Sequence, residues 1–174
     1  MATKDGARFL AEQLDSFARQ THRNWCLYVS DDASSDETVS ILKDYGRRTG
    51  FPVAVRRGPD SGHADNFLSL ARDTSIVADF YAFSDQDDVW LDHKLERAIG
   101  KLAALGSEKP AFYCSRTLVV SEDNERVLGK SPLFRREPTF ANALVQSLGG
   151  GNTMLFNRAT KLLLEKSWAK VVSH

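Results

Sequence analysis

From residue 25 to residue 105 the chain alternates short apolar runs with amphipathic ones, and that period restricts the fold more than any single motif does. "WCLYVS" (25–30) reads as a strand. "DDASSDETVSILKDYGRR" then turns from loop into helix, with Ser34 and Glu37 at capping-box spacing. "PVAVRR" (52–57) is the next strand, "GPDSGH" a loop and "ADNFLSLARD" a helix. "DFYAFSD" (79–85) follows as a strand, and "LDHKLERAIGKLAAL" as a helix with Asp92 as its N-cap. Upstream, Phe9, Leu10, Leu14 and Phe17 recur at helical spacing almost from the first residue. Strands that alternate with helices build βαβ units, so the expectation is an α/β fold with a mainly parallel central sheet flanked by helices.

After residue 110 the pattern changes. "AFYCSRTLVVSEDNERVL" reads as a strand, a polar turn at 121–125 and a return, which gives a small antiparallel element. A helix around "TFANALVQS", a glycine run "LGGGN" (148–152), a short strand "TMLF" and a helix opening "NRATKLLLEK" complete the chain. Without an internal repeat or low-complexity linker, all 174 residues read as one domain. Both ends look cut: hardly any strand precedes the first helix, and the final apolar segment stops at His174.

Composition excludes some partners. The 23 Lys and Arg residues balance 23 Asp and Glu, so charge does not favour nucleic acid or an acidic membrane surface. Cys26 and Cys114 both lie in apolar runs read as strands, where reduced thiols act as small core hydrophobes. With no signal peptide and no apolar stretch of spanning length, a soluble, cytoplasmic chain is expected.

Two acidic clusters fall at carboxyl ends of strands, where ligands bind in open parallel sheets: Asp31 and Asp32 after "LYVS", and Asp85, Asp87 and Asp88 after "YAFS". Carboxylates this close repel one another and resist desolvation, so they need water or a cation among them. Oxygen ligands of this kind suit Mg²⁺ or Mn²⁺, which takes one or two protein carboxylates and completes its shell with substrate oxygens and water. Simple helix capping is the competing account of the first cluster, and a solvated turn that of the second. An EF-hand fails, because Asp32, Ser34 and Asp36 fit its alternate ligand positions but Glu37 and Lys43 replace its glycine and closing glutamate. His22, His63, His93 and His174 lack metal-ligand spacing. Dinucleotide-binding, P-loop and nucleophile-elbow patterns are missing too. The loop "GPDSGHADNF" (58–67) and the glycines at 149–151 have the shape of close backbone approaches.

In this order, the segments "MATKDGARFLAEQLDSFARQ", "VSDDASSDET", "FSDQDDVWLDHKL" and "GGGNTMLFNR" resemble glycosyltransferase family 2, with the GT-A fold, and within it the rhamnosyltransferase-like group. "DDASSDET" is similar to that family's "DDGSxDxT" loop, and Asp85-Gln86-Asp87 to its D-x-D region; Lys4-Asp5 stands where the family usually has Tyr-Asn. The resemblance implies a nucleotide-sugar-binding half over 1–110 and a partial acceptor-side half over 111–174. It puts Thr3, Asp32, Asp85 and Asn66 at the nucleotide-sugar, Asp87 and Asp88 at a divalent metal (Mg²⁺ or Mn²⁺), and Gly150, Gly151 and Asn152 on the acceptor side. It assigns no catalytic residue within the chain, the acidic base being expected just after His174. The implied activity is inverting transfer of a sugar, with dTDP-rhamnose suggested as donor, to a glycan or lipid-linked acceptor of bacterial surface polysaccharide, at the inner face of the cell membrane. The full-length protein would associate peripherally there, and this stretch alone would bind donor without transferring it. A metal-dependent nucleotidyltransferase and a non-catalytic nucleotide-sugar-binding module remain the alternatives.

Overall fold

The computed structural model describes residues 1–122, 124–133, 139 and 149–166. Strand β2 (Leu27–Asp31) is the middle of a three-stranded parallel sheet, between β1 (Ala2–Thr3) and β3 (Val53–Arg57). Its register runs from Leu27 opposite Val53 to Asp31 opposite Arg57, but on the other edge only Ser30 and Asp31 meet β1. All three strands therefore end together, and the loops that leave them gather at one edge.

Helices α1 (Ala7–Ala18), α2 (Thr38–Thr49) and α4 (Lys94–Ala103) bury one apolar stripe each, as their sequence periods require. Leu10, Leu14 and Phe17 meet Leu42 and Tyr45 from α2 and Leu95, Ala98 and Leu102 from α4 in one cluster. Helix α2 stops where Gly50 takes φ 73°, a left-handed turn whose N–H reaches Gly46 O at 3.0 Å. Helix α3 (His63–Ala71) packs on β1 and β2 and also touches α5 (Arg158–Lys166).

A second three-stranded sheet holds β4 (Phe80–Ala82), β8 (Leu155–Asn157) and β5 (Phe112–Tyr113), with β8 central and antiparallel to both neighbours. Strands β6 (Leu118–Val120) and β7 (Val127–Lys130) form the expected hairpin, with a register shift between Val119 and Val120. The mixed α/β architecture is as expected, although the antiparallel share is larger, because β4 pairs with β8. The two sheets are separated by a cavity of about 560 Å³, lined by Leu27, Tyr28, Phe80, Ala82, Trp90 and Phe156 among others.

Several local readings are corrected. Ser34 does not cap α2: its hydroxyl donates to Asp31 Oδ1 at 2.6 Å and accepts from the Asp5 N–H at 2.9 Å, and the helix starts at Thr38 without a side-chain cap. Asp92 does not cap α4, which starts at Lys94 after His93; its carboxylate faces Arg19 at 3.5 Å instead. Both cysteines are free thiols, but neither is in the core. Cys26 is exposed just before β2 and Cys114 is half-buried just after β5. The helix read around "TFANALVQS" lies, apart from Thr139, outside the described residues, as do 167–174.

Candidate functional site

The loops after β1, β2 and β3 lock together through a network in which nearly every acceptor is used. Asp31, buried at the end of β2, accepts from the Thr3 hydroxyl at 2.8 Å, the Ser34 hydroxyl at 2.6 Å and the Ser34 N–H at 2.9 Å. Asp5 Oδ1 accepts from the Ser35 N–H at 2.7 Å. Asp36 accepts from the N–H groups of Ala7 and Thr38, both at 3.0 Å, and the Thr38 hydroxyl holds its carboxyl below the usual range. Three non-glycine residues sit in the left-handed region here, Asp5 at φ 45°, Ala33 at φ 59° and Asp60 at φ 55°.

Beside this network three of the expected nucleotide-sugar residues come together. Asp32, 3% exposed, accepts the Asp60 N–H on Oδ1 at 2.9 Å, while its backbone oxygen takes the Lys4 ammonium at 2.9 Å. Asn66, from α3, donates to Thr3 O at 3.3 Å and leaves its Oδ1 buried without a partner. Gly58 lies against both: a Cβ there would overlap Asp32 Oδ1 and come within 2.6 Å of Asn66 Oδ1. Glycine is thus required by close approach of polar side chains, and the cluster contains an unused acceptor. Thr3 is 2% exposed with its hydroxyl committed to Asp31, so only its backbone faces the cluster.

The second acidic loop, 85–88, leaves β4 on the other side of Lys4. Asp85 is half-buried, and burial, together with the charges of Asp88 and Asp87, pushes its carboxyl above the ordinary range, with His63 and the Met1 amine pulling the other way. Asp87 is exposed. Asp88 Oδ2 accepts from Asn152 Nδ2 at 2.6 Å, so the glycine-rich segment lies directly against the acidic loop. Lys94, at the start of α4, reinforces that junction by donating to Asn152 O at 2.5 Å, with its ammonium 3.9 Å from the centre of the Trp90 ring. Burial lowers the Lys94 ammonium to about 8, against the pull of Asp88 and Asp85. Of the three glycines, Gly149 and Gly150 are closely packed, a Cβ there meeting Cys114 at 3.0 Å or Asn152 Oδ1 at 2.5 Å, whereas Gly151 faces open space.

The loop after β1 touches both clusters. Lys4 holds Asp32 through its ammonium and Gln86 through its backbone. Sequence reading missed Gln86 and Lys94, whose types carry no signal at their spacing; only the fold brings them to the junction.

A divalent metal is implied at the second loop. Among the described residues no three His, Cys, Asp or Glu side chains form a ready metal cage. Mg²⁺ and Mn²⁺ do not need one, because substrate phosphates and water complete their shells. Burial first, and the charges of Asp88 and Asp87 second, disfavour the ionised Asp85, which a cation would offset, and Asp87, exposed, and Asp88, with one oxygen left, fit it.

A family model described as glycosyl transferase family 2 matches residues 1–163. A dTDP-rhamnosyl transferase of Shigella flexneri, RfbG, is 33% identical over 104 residues, which is 57% of this chain and 35% of that protein. The chain spans about a third of the length of the first curated relatives it matches. Among solved structures, S. aureus TarS 1-349 in complex with UDP-GlcNAc matches with a TM-score of 0.64 at 21% identity, over 95% of this chain and 45% of that one. The mannosyltransferase PcManGT from Pyrobaculum calidifontis, in complex with GDP-Man and Mn²⁺, matches with a TM-score of 0.55 at 20% identity, over 63% of this chain and 32% of that one. At such identities the likeness establishes the fold, which is of the GT-A type.

Proposed function

The chain belongs to glycosyl transferase family 2, and from that premise we propose that its crevice holds a nucleoside-diphosphate sugar and passes the sugar to an acceptor hydroxyl. Asp32 and the unused Asn66 oxygen take the nucleoside end; Asp87 and Asp88, with a divalent metal, take the diphosphate end, and Asp85 lies between. The observation that carries this reading is geometric: the Asp85 and Asp87 carboxylates receive no hydrogen bond from the described residues, and across Lys4 from them Asn66 Oδ1 is buried without a partner. When bound, the metal supplies a fixed positive charge where the leaving nucleoside diphosphate becomes more negative. The chain's own part is to bind and orient: the polar cluster at Gly58 fixes the nucleoside, and the Lys94–Asn152–Asp88 junction sets the wall against which the acceptor approaches.

The name of the S. flexneri relative favours a deoxythymidine-diphosphate sugar, rhamnose in particular, and the acceptor we propose beside it is a bacterial surface polysaccharide or a lipid-linked glycan. Synthesis on a lipid carrier would place the protein at the inner face of the cell membrane. Among the described residues no helix is long and apolar enough to cross a membrane.

Transfer also needs a base for the acceptor hydroxyl, worth about 10²- to 10⁴-fold, so binding is the direct assay of the crevice. Titration calorimetry with UDP, dTDP, GDP and ATP, with and without Mn²⁺, should show metal-dependent binding of one nucleoside diphosphate that Asp87→Ala removes. Preference for ATP would move the reading to a nucleotidyltransferase; absence of any metal-dependent binding would overturn it.

A further inference from the structure

Contacts along residues 84–88 alternate. The Ser84 hydroxyl accepts from Gln13 Nε2 at 2.7 Å, Gln86 reaches the loop after β1, and Asp88 takes Asn152. The carboxylates of Asp85 and Asp87 receive no hydrogen bond among the described residues. The side chains at even positions fasten the loop, and the odd carboxylates face no donor from the described residues.

Gln86 is the unusual member. Its Oε1 accepts from the Lys4 N–H at 2.9 Å and its Nε2 donates to Lys4 O at 2.9 Å. This exchange of both bonds with one residue is what a neighbouring β-strand makes at a hydrogen-bonded pair, so a side-chain amide substitutes for a strand where β1 and β4 form no ladder. The fit is tight: a Cβ on Gly6 would overlap the Gln86 carboxamide. Gly6 itself has φ −100°, open to any residue, so glycine is demanded here by Gln86 and not by the backbone.

We propose that Gln86 is a positioning residue whose carboxamide clamps the loop after β1 to the acidic loop, fixing the distance between the nucleoside end of the site at Asp32 and the metal end at Asp87. This rests on the donor-site reading above. A nucleotide that touches both ends feels the clamp only when the metal end is engaged. Gln86 therefore acts on the coupling between metal and nucleotide rather than on either contact alone.

The test is a double-mutant cycle read by calorimetry and by thermal unfolding. Gln86→Ala should weaken Mn²⁺-dependent binding of the preferred nucleoside diphosphate about tenfold, while affinity without metal stays within about twofold. Gln86→Glu, which keeps the volume but faces Lys4 O with an acceptor, should behave in the same way. Gly6→Ala should reproduce the loss in the native background and cost nothing further in the Gln86→Ala background, where its methyl group has room. Full Mn²⁺ dependence in both Gln86 variants, or a Gly6→Ala penalty equal in the two backgrounds, would overturn the clamp while leaving the donor site standing. If the unsubstituted chain binds no diphosphate with Mn²⁺, the donor-site reading falls and takes the clamp's ligand role with it. The unfolding cycle at Gly6 and Gln86 then still decides whether the contact itself is real.

Discussion

The two acidic loops of this crevice are built from the same residue type and do opposite things. After β2, Asp31 satisfies three donors and Asp36 another three, so each carboxylate is an internal fastener. After β4, the carboxylates of Asp85 and Asp87 accept nothing from the described residues, and burial and the neighbouring charges disfavour the ionised Asp85. What separates the two sets of carboxylates is therefore the count of donors aimed at them. The first loop spends its charge internally, and the second keeps the charge that the proposed donor site needs.

That contrast can be broken by substitution. The largest effect is expected at Asp31→Ala, which orphans the buried Thr3 hydroxyl and two half-buried donors on Ser34 and should destabilise the chain by about 3 kcal/mol in denaturant unfolding. Asp87→Ala should be silent in the same experiment, within about 0.5 kcal/mol, because it removes an exposed, unbonded group. A comparable loss of stability at both positions would erase the distinction between the loops.

Smaller changes sharpen it. Ala33 stands at φ 59° where the resembled loop has glycine, so Ala33→Gly should relieve left-handed strain and stabilise by about 0.5–1 kcal/mol, read as a higher Tm. Asp85→Asn should also raise the Tm of the ligand-free chain, by the smallest margin of the set. Because the folded state raises the Asp85 pKa, the ionised acid costs stability above that pKa. The gain from Asn is thus present at neutral pH and disappears as acid protonates Asp85 in both folded and unfolded chains. The same substitution should weaken metal-dependent binding, so stability and binding move in opposite directions.

The alternation of strands and helices and both acidic clusters were legible in the sequence, because each depends on residues close together in the chain. Pairings were not. Ser34 and Glu37 have the spacing of a capping box, yet Asp31 takes the Ser34 hydroxyl first, a contest that spacing cannot decide. Cys26 sits in an apolar run but precedes β2 by one residue and faces solvent. Gln86 and Lys94 matter through Lys4, 82 positions away from Gln86, and Asn152, 58 positions from Lys94, and no local pattern encodes such meetings.

Trp90 follows the acidic loop almost at once, buried, with its ring centre 4.7 Å from that of Phe17 in a T-shaped contact and the Lys94 ammonium on its face, and its indole N–H makes no hydrogen bond among the described residues. Indole emission responds to the charge above the ring and to the dryness around it. An anion that draws Lys94 away from Trp90 changes both, which gives the crevice an intrinsic fluorescent reporter that needs no attached dye.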